Sequence, residues 1–161
     1  MERWLKRACN RLEETGFVIS DDVKFKGQVY PIVARRSRFD LSKFGYSEEF
    51  FVFGDFDRLG AKEFRAFSAG AFRYAKRHRV NPLPCGFFES VWCFCVAITD
   101  EVSDATLDSV RQDEPPKHWG AAEIPVIYDR ESGDLFYFEG TPLWGAFYHA
   151  AHRSQIENLL R

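Results

Sequence analysis

The stretch EFFVFGDF, from Glu49 to Phe56, decides the fold class. It is short, aromatic and β-branched, which is the composition of a strand buried on both faces. A second run, FFESVWCFCVAIT from Phe87 to Thr99, reads the same way. Between the two, Phe64, Phe67, Ala71 and Tyr74 recur at helical spacing, while Arg58, Lys62, Arg65, Arg73, Lys76 and Arg77 lie mostly elsewhere on the wheel. Residues 58–79 are therefore expected to form an amphipathic helix joining two core strands. Asn81-Pro82-Leu83-Pro84 ends it, because proline removes a donor and restricts the residue before it.

Working outward, residues 2–15 carry Trp4, Leu5, Ala8 and Leu12 on one stripe, the mark of a second amphipathic helix. Residues 17–38 read as two extended segments around a Lys26-Gly27 turn. Asp55 and Asp57 suit the N-terminus of the following helix, where carboxylates cap free amides. A short helix is expected near Asp104–Gln112, capped by Ser103 or Asp104. Ile124–Tyr128 and Leu135–Glu139 read as a hairpin, and Thr141-Pro142 opens a last helix running to about Leu160. The expected architecture is a single α+β domain over residues 1–161, with a mixed or antiparallel central sheet flanked by helices. The order of elements resembles that of the restriction-endonuclease-like core, in which a helix precedes a three-strand meander and then a helix and a strand. The likeness is one of element order, and no stretch matches a motif that ties the chain to a family.

Composition explains why no staple is needed. Seventeen phenylalanines sit among 161 residues, and 17% of the chain is aromatic. Each buried ring removes about 150–250 Å² from water, at about 25 cal/mol per Å². The opening MERWLKRACN has no apolar run, so the four cysteines are expected to be reduced cytosolic thiols, and no membrane partner is expected. Net charge is −2, but residues 1–80 hold 17 Lys and Arg against 11 Asp and Glu, and residues 81–161 hold 5 against 13. The segregation is expected to be neutralised by pairing between the halves rather than to leave a basic face for an anion, so nucleic acid is a possible but not a favoured partner.

Four groups of residues can carry chemistry. Asp55 and Asp57, with Glu49 and Asp40, could hold a hard divalent cation such as Mg²⁺ at an acidic strand end. No acid-x-Lys follows on that strand, and Lys62 is the nearest lysine downstream. Arg35, Arg36, Arg73 and Arg77 are the phosphate-binding candidates, with Phe39 and Phe44 nearby as rings able to stack on bases. The rigid loop Glu114-Pro115-Pro116-Lys117-His118-Trp119 places His118 and Trp119, with Glu123 and Tyr128, as candidates to line a pocket. Cys93 and Cys95 share a strand face and His149 and His152 a helix face, a set conceivable for zinc, but the spacing is not that of known zinc modules and cysteines in so apolar a run are expected to be small buried hydrophobes rather than metal ligands. Cys85, between two loop breakers, is the best placed reactive thiol, with His78 or His118 as its base. Phosphate loops, dinucleotide glycine motifs, nucleophile elbows and zincin motifs are missing from the sequence.

Two functions follow. The first is a non-catalytic cytosolic interaction or accessory domain without a cofactor, its partner a protein or a second copy of the chain. The second is a metal-dependent, nuclease-like phosphodiesterase built on the acidic strand end beside the basic face. The second requires at least two of the carboxylates to meet at one point that opens onto the basic cleft.

Overall fold

The computed structural model describes residues 3–41, 44–80, 89–140 and 146–161. Eleven elements follow in the order α1 (Arg3–Glu14), β1 (Val18–Phe25), β2 (Gln28–Asp40), β3 (Gly45–Leu59), α2 (Ala61–Arg77), β4 (Glu89–Val102), α3 (Asp104–Gln112), β5 (Lys117–His118), β6 (Ala121–Asp129), β7 (Leu135–Tyr137) and α4 (Ala146–Leu160). They form one α+β domain around a mixed sheet of order β1-β2-β3-β4-β6-β5, with β7 also paired to β6. The first three strands are an antiparallel meander. β3, β4 and β6 then run parallel to one another. Helical crossovers α2 and α3 permit that change, since parallel neighbours cannot be joined by a tight turn.

β3 and β4 lie at the centre with helices on both sides, which is why their sequences are continuous hydrophobic runs rather than alternations. One face of the sheet packs against α1 and α4 through Phe51, Phe53, Phe94, Val96 and Ile98. The other packs against α2 and α3 through Phe50, Val52, Cys93, Cys95 and Ala97. Phe51 and Phe94 are register partners across the β3–β4 ladder, and their rings stack at 4.2 Å. Phe67 is buried as the sequence requires, whereas Trp92 is only partly buried against the α1–α4 core. Phe87, Phe88, Asn81–Pro84 and the Thr141-Pro142 cap lie outside the described residues.

The local signals hold at most boundaries. Lys26 and Gly27 both take positive φ, at 48° and 81°, the backbone of a tight hairpin turn. Ser103 caps α3 by accepting the Thr106 amide at 3.3 Å. The start of α2 differs from expectation. Asp55 and Asp57 do not cap it; the parallel ladder continues to Leu59, paired with Val102, and keeps both on the strand. Glu63 instead reaches back to accept the Gly60 amide at 3.0 Å.

Gly54 fixes how closely α2 approaches β3. A Cβ on Gly54 would lie 2.5 Å from Cε2 of Phe67 and 2.9 Å from Cε2 of Phe56. Both rings would have to leave their packing positions. Gly54→Ala should therefore destabilise the fold by about 1–3 kcal/mol, in the range of overpacked cores. Equilibrium urea unfolding checks it, and an unchanged midpoint would show that the rings move without cost.

Candidate functional site

Of the acidic strand end, Glu49 is separated from Asp55 and Asp57. Glu49 sits on the α1–α4 face of β3 and is fully buried. Its Oε2 accepts Nε of Arg36 at 2.7 Å and also pairs with Nη2 of the same guanidinium. Its Oε1 accepts Nη2 of Arg38 at 2.7 Å and Nε2 of Gln155, on α4, at 2.9 Å. Asp55 lies six residues further along β3, about 20 Å away at strand rise, where it pairs with Arg130. Asp57 is exposed at that same far end. Asp40 ends β2 opposite Gly45, and its side chain lies outside the description. Glu49 and Asp55 thus face different partners at opposite ends of one strand and share no cation position.

The candidate phosphate-binding arginines also divide. Neighbours on a strand point to opposite faces. Arg36 turns to Glu49, with its guanidinium 4.2 Å above the Phe17 ring and Nη1 donating to the Thr15 carbonyl at 2.7 Å. Arg35 turns to the α2 face and donates to the His78 carbonyl at 3.3 Å. Arg73 and Arg77 are exposed on α2 and have no ion pair to a described residue. The charges of the two halves pair only in part. Arg58 meets Glu101, Arg79 meets Glu89 and Arg130 meets Asp55, so both signs cross in each direction.

A cleft lies beside one of the pocket candidates, Glu123. It measures about 430 Å³, lies between α2, α3 and β6 and is lined by Phe64, Arg65, Val110, Glu114, Pro116 and Glu123, among others. Glu123 is buried at its floor, where Ser68 Oγ donates to Oε1 at 2.6 Å and His118 Nε2 lies 3.1 Å from Oε2. His118 also stacks on Phe72 at 4.1 Å, which ties the two-residue β5 to α2. Of the four pocket candidates only Glu123 lines the cleft; His118 touches it through Glu123, and the other two lie elsewhere. Trp119 is 76% exposed in the β5–β6 turn. Tyr128 lies on the opposite face of the sheet, stacked on Trp4 at 3.8 Å, because residues five apart on one strand fall on opposite sides.

The Ser68–Glu123–His118 set is not a nucleophilic triad. In a triad the hydroxyl gives its proton to the imidazole and the carboxylate orients the imidazole from behind. Here the carboxylate stands in the middle and takes both partners, so Ser68 has no imidazole base. The set ties the floor of the cleft together. Ser68 carries the readable signal of this contact, a polar residue on the buried side of α2 beside Phe67. Gln155 carries none, since its partner Glu49 lies 106 residues away.

The thiols and imidazoles do not meet. Cys93 and Cys95 point into the α2 face, their sulfurs 3.7 Å apart. His152 packs edge-on against Trp92 and Phe94 on the other face, so the sheet stands between the two pairs. Among the described residues, no three carboxylate, thiol or imidazole groups converge on one point. Cys9, Cys93 and Cys95 are free thiols. Burial is the main cause that pushes Cys9 up to about 11 and Cys93 well above an ordinary thiol. Both are therefore poor nucleophiles near neutral pH. Cys85 lies outside the described residues.

No protein-family model, curated protein or solved structure matches this chain. Among the described residues, no helix is long and apolar enough to cross a membrane.

Proposed function

We propose that the chain is a non-catalytic interaction domain of a reducing, cytosolic compartment, offering the α2 face of its sheet to a partner. The observation that carries this reading is the state of Glu49. A carboxylate that ligates a metal must keep a lone pair and an open approach for the ion. Glu49 has neither, being fully buried and bonded by two arginines and a glutamine. Asp55 and Asp57 stand at the far end of the strand, where Asp55 is paired with Arg130, and among the described residues no third acid, thiol or imidazole converges on them.

One end of the sheet supports the positive half of the reading, and its Phe39 and Tyr46 lie on the α2 side. At the end where β3 and β4 begin, Phe39, Leu41, Phe44 and Tyr46 are 51%, 74%, 78% and 40% exposed. Phe39 and Tyr46 form an edge-on pair across β2 and β3 at 5.2 Å. Exposed rings grouped on one end of a domain are a contact surface more often than a structural need.

Calorimetric titration with Mg²⁺ and Mn²⁺, followed by incubation with single- and double-stranded DNA and RNA, tests the reading. The expected result is no saturable metal binding and no strand scission. Metal-dependent scission that disappears in Asp55→Asn would overturn it and establish the phosphodiesterase.

A further inference from the structure

We infer that the solvent face of α2, continued by the aromatic tip of the β2–β3 hairpin, is a binding path for single-stranded nucleic acid. The inference rests on the interaction-domain reading and names the partner. At 3.6 residues per turn, Lys62, Arg65, Arg73, Lys76 and Arg77 fall within one arc of about 120° on α2. The other residues of that arc are Ala66 and Ala69, so the stripe contains no acid. All five cations are exposed, and none is ion-paired to a described residue. They span about 22 Å of helix.

An ordinary solvated helix interleaves charges of both signs, because i,i+4 pairs stabilise it and like charges at that spacing do not. Here Arg73 and Arg77 stand at i and i+4 with the same sign, and Lys76 lies between them. The repulsion is relieved by a polyanion laid along the stripe. The acids Asp104 and Asp108 of α3 are exposed on the same side of the sheet. They would repel a strand lying across both helices, so the path runs lengthwise along α2.

The path ends at rings. Arg35 reaches the His78 carbonyl at the C-terminus of α2, and Phe39 lies on the same face of β2 four residues on. Glu48 receives the Val80 amide at 2.7 Å, and Tyr46 lies on the same face of β3 two residues before it. The exposed Phe39–Tyr46 pair therefore stands just past the basic end of the helix. Exposed rings next to a basic track bind unpaired bases, which show a π-face that a duplex hides. This addition favours a single strand over a duplex, an acidic peptide or an anionic membrane. A second copy is disfavoured as the occupant, because a two-fold contact centred on α2 sets five cations against five.

Fluorescence anisotropy with a labelled oligo(dT) of about 20 nucleotides tests the inference. With five phosphate contacts, log K against log salt should have a slope of about −3.5, a loss of roughly 100-fold between 50 and 200 mM salt. Arg73→Ala with Arg77→Ala should flatten the slope by about 1.4. Phe39→Ala should weaken binding by about tenfold with the slope unchanged. Lys24→Ala, an exposed cation on the opposite face of β1, should change nothing. No binding at low salt overturns the inference. So does equal binding of a duplex, preference for phosphatidylserine vesicles or polyglutamate, a dimer that Arg73→Glu dissociates, or an equal loss in Lys24→Ala. Binding accompanied by strand scission would leave the path in place and remove the non-catalytic reading instead.

Discussion

Phe94→Ala should lower the stability of the domain by about 3–5 kcal/mol, a large part of the 5–15 kcal/mol that a domain of this size holds. Phe94 is fully buried on β4 and stacks on the equally buried Phe51 of β3. Its edge also meets His152 of α4. One ring thus joins the two central strands and the helix layer above them, and the cavity left by truncation would be lined by groups held in place by a parallel ladder. Such a site relaxes poorly, which puts the cost at the upper end for large-to-small changes. For a chain of this length the melting temperature should fall by about 10 °C or more. Phe39→Ala is the internal comparison. Phe39 is half exposed and contacts Tyr46, so its removal should stay within about 0.5–1 kcal/mol. Melting curves that coincide for Phe94→Ala and the parent would show that the β3–β4 seam is not the centre of the core.

The same two strands explain why the fold was legible and the site was not. Strands buried on both faces must be hydrophobic throughout, so EFFVFGDF and VWCFCVAI announce themselves in any context. Helices α1 and α2 are equally open, since each buries one stripe. The residues of the acidic strand end are different. Glu49 and Asp55 share a strand face by alternation, but alternation says nothing about distance along the strand, and six residues separate a sealed ion pair from a rim carboxylate. Arg35 and Arg36 are adjacent in sequence and for that reason lie on opposite faces, so they cannot join one phosphate site. Glu123 and His118 were reachable because a two-residue strand folds back through a tight turn and keeps them local. Their partner Ser68 sits on α2, 55 residues away, and only the tertiary packing brings it there. The one functional feature that needed no tertiary information is the basic arc of α2, because helical periodicity alone fixes which of its arginines share a face.

Glu49→Ala should cost about 3–5 kcal/mol, the range for removing one partner of a buried ion pair. The side chain of Arg36 is only 13% exposed and lies over Phe17, so without Glu49 its charge has a carbonyl for company and little water. The Gln155 amide loses its acceptor as well, which loosens α4 from the sheet. Replacing both partners, Arg36→Met with Glu49→Leu, should recover most of the loss, because two apolar groups of similar size remove the stranded charge. The double-mutant cycle isolates the coupling, expected at 0.5–3 kcal/mol for residues in contact, as an order of magnitude. The sign of the single change also separates the two functional readings. A carboxylate kept for a metal is held against its neighbours at a cost in stability, so its removal stabilises the metal-free protein. A carboxylate that locks arginines in place does the opposite. Urea unfolding of Glu49→Ala in the presence of a chelator reads that sign directly. A midpoint at or above that of the parent would make Glu49 a functional acid and return the phosphodiesterase to first place; a lower one leaves it as the clasp between β2, β3 and α4.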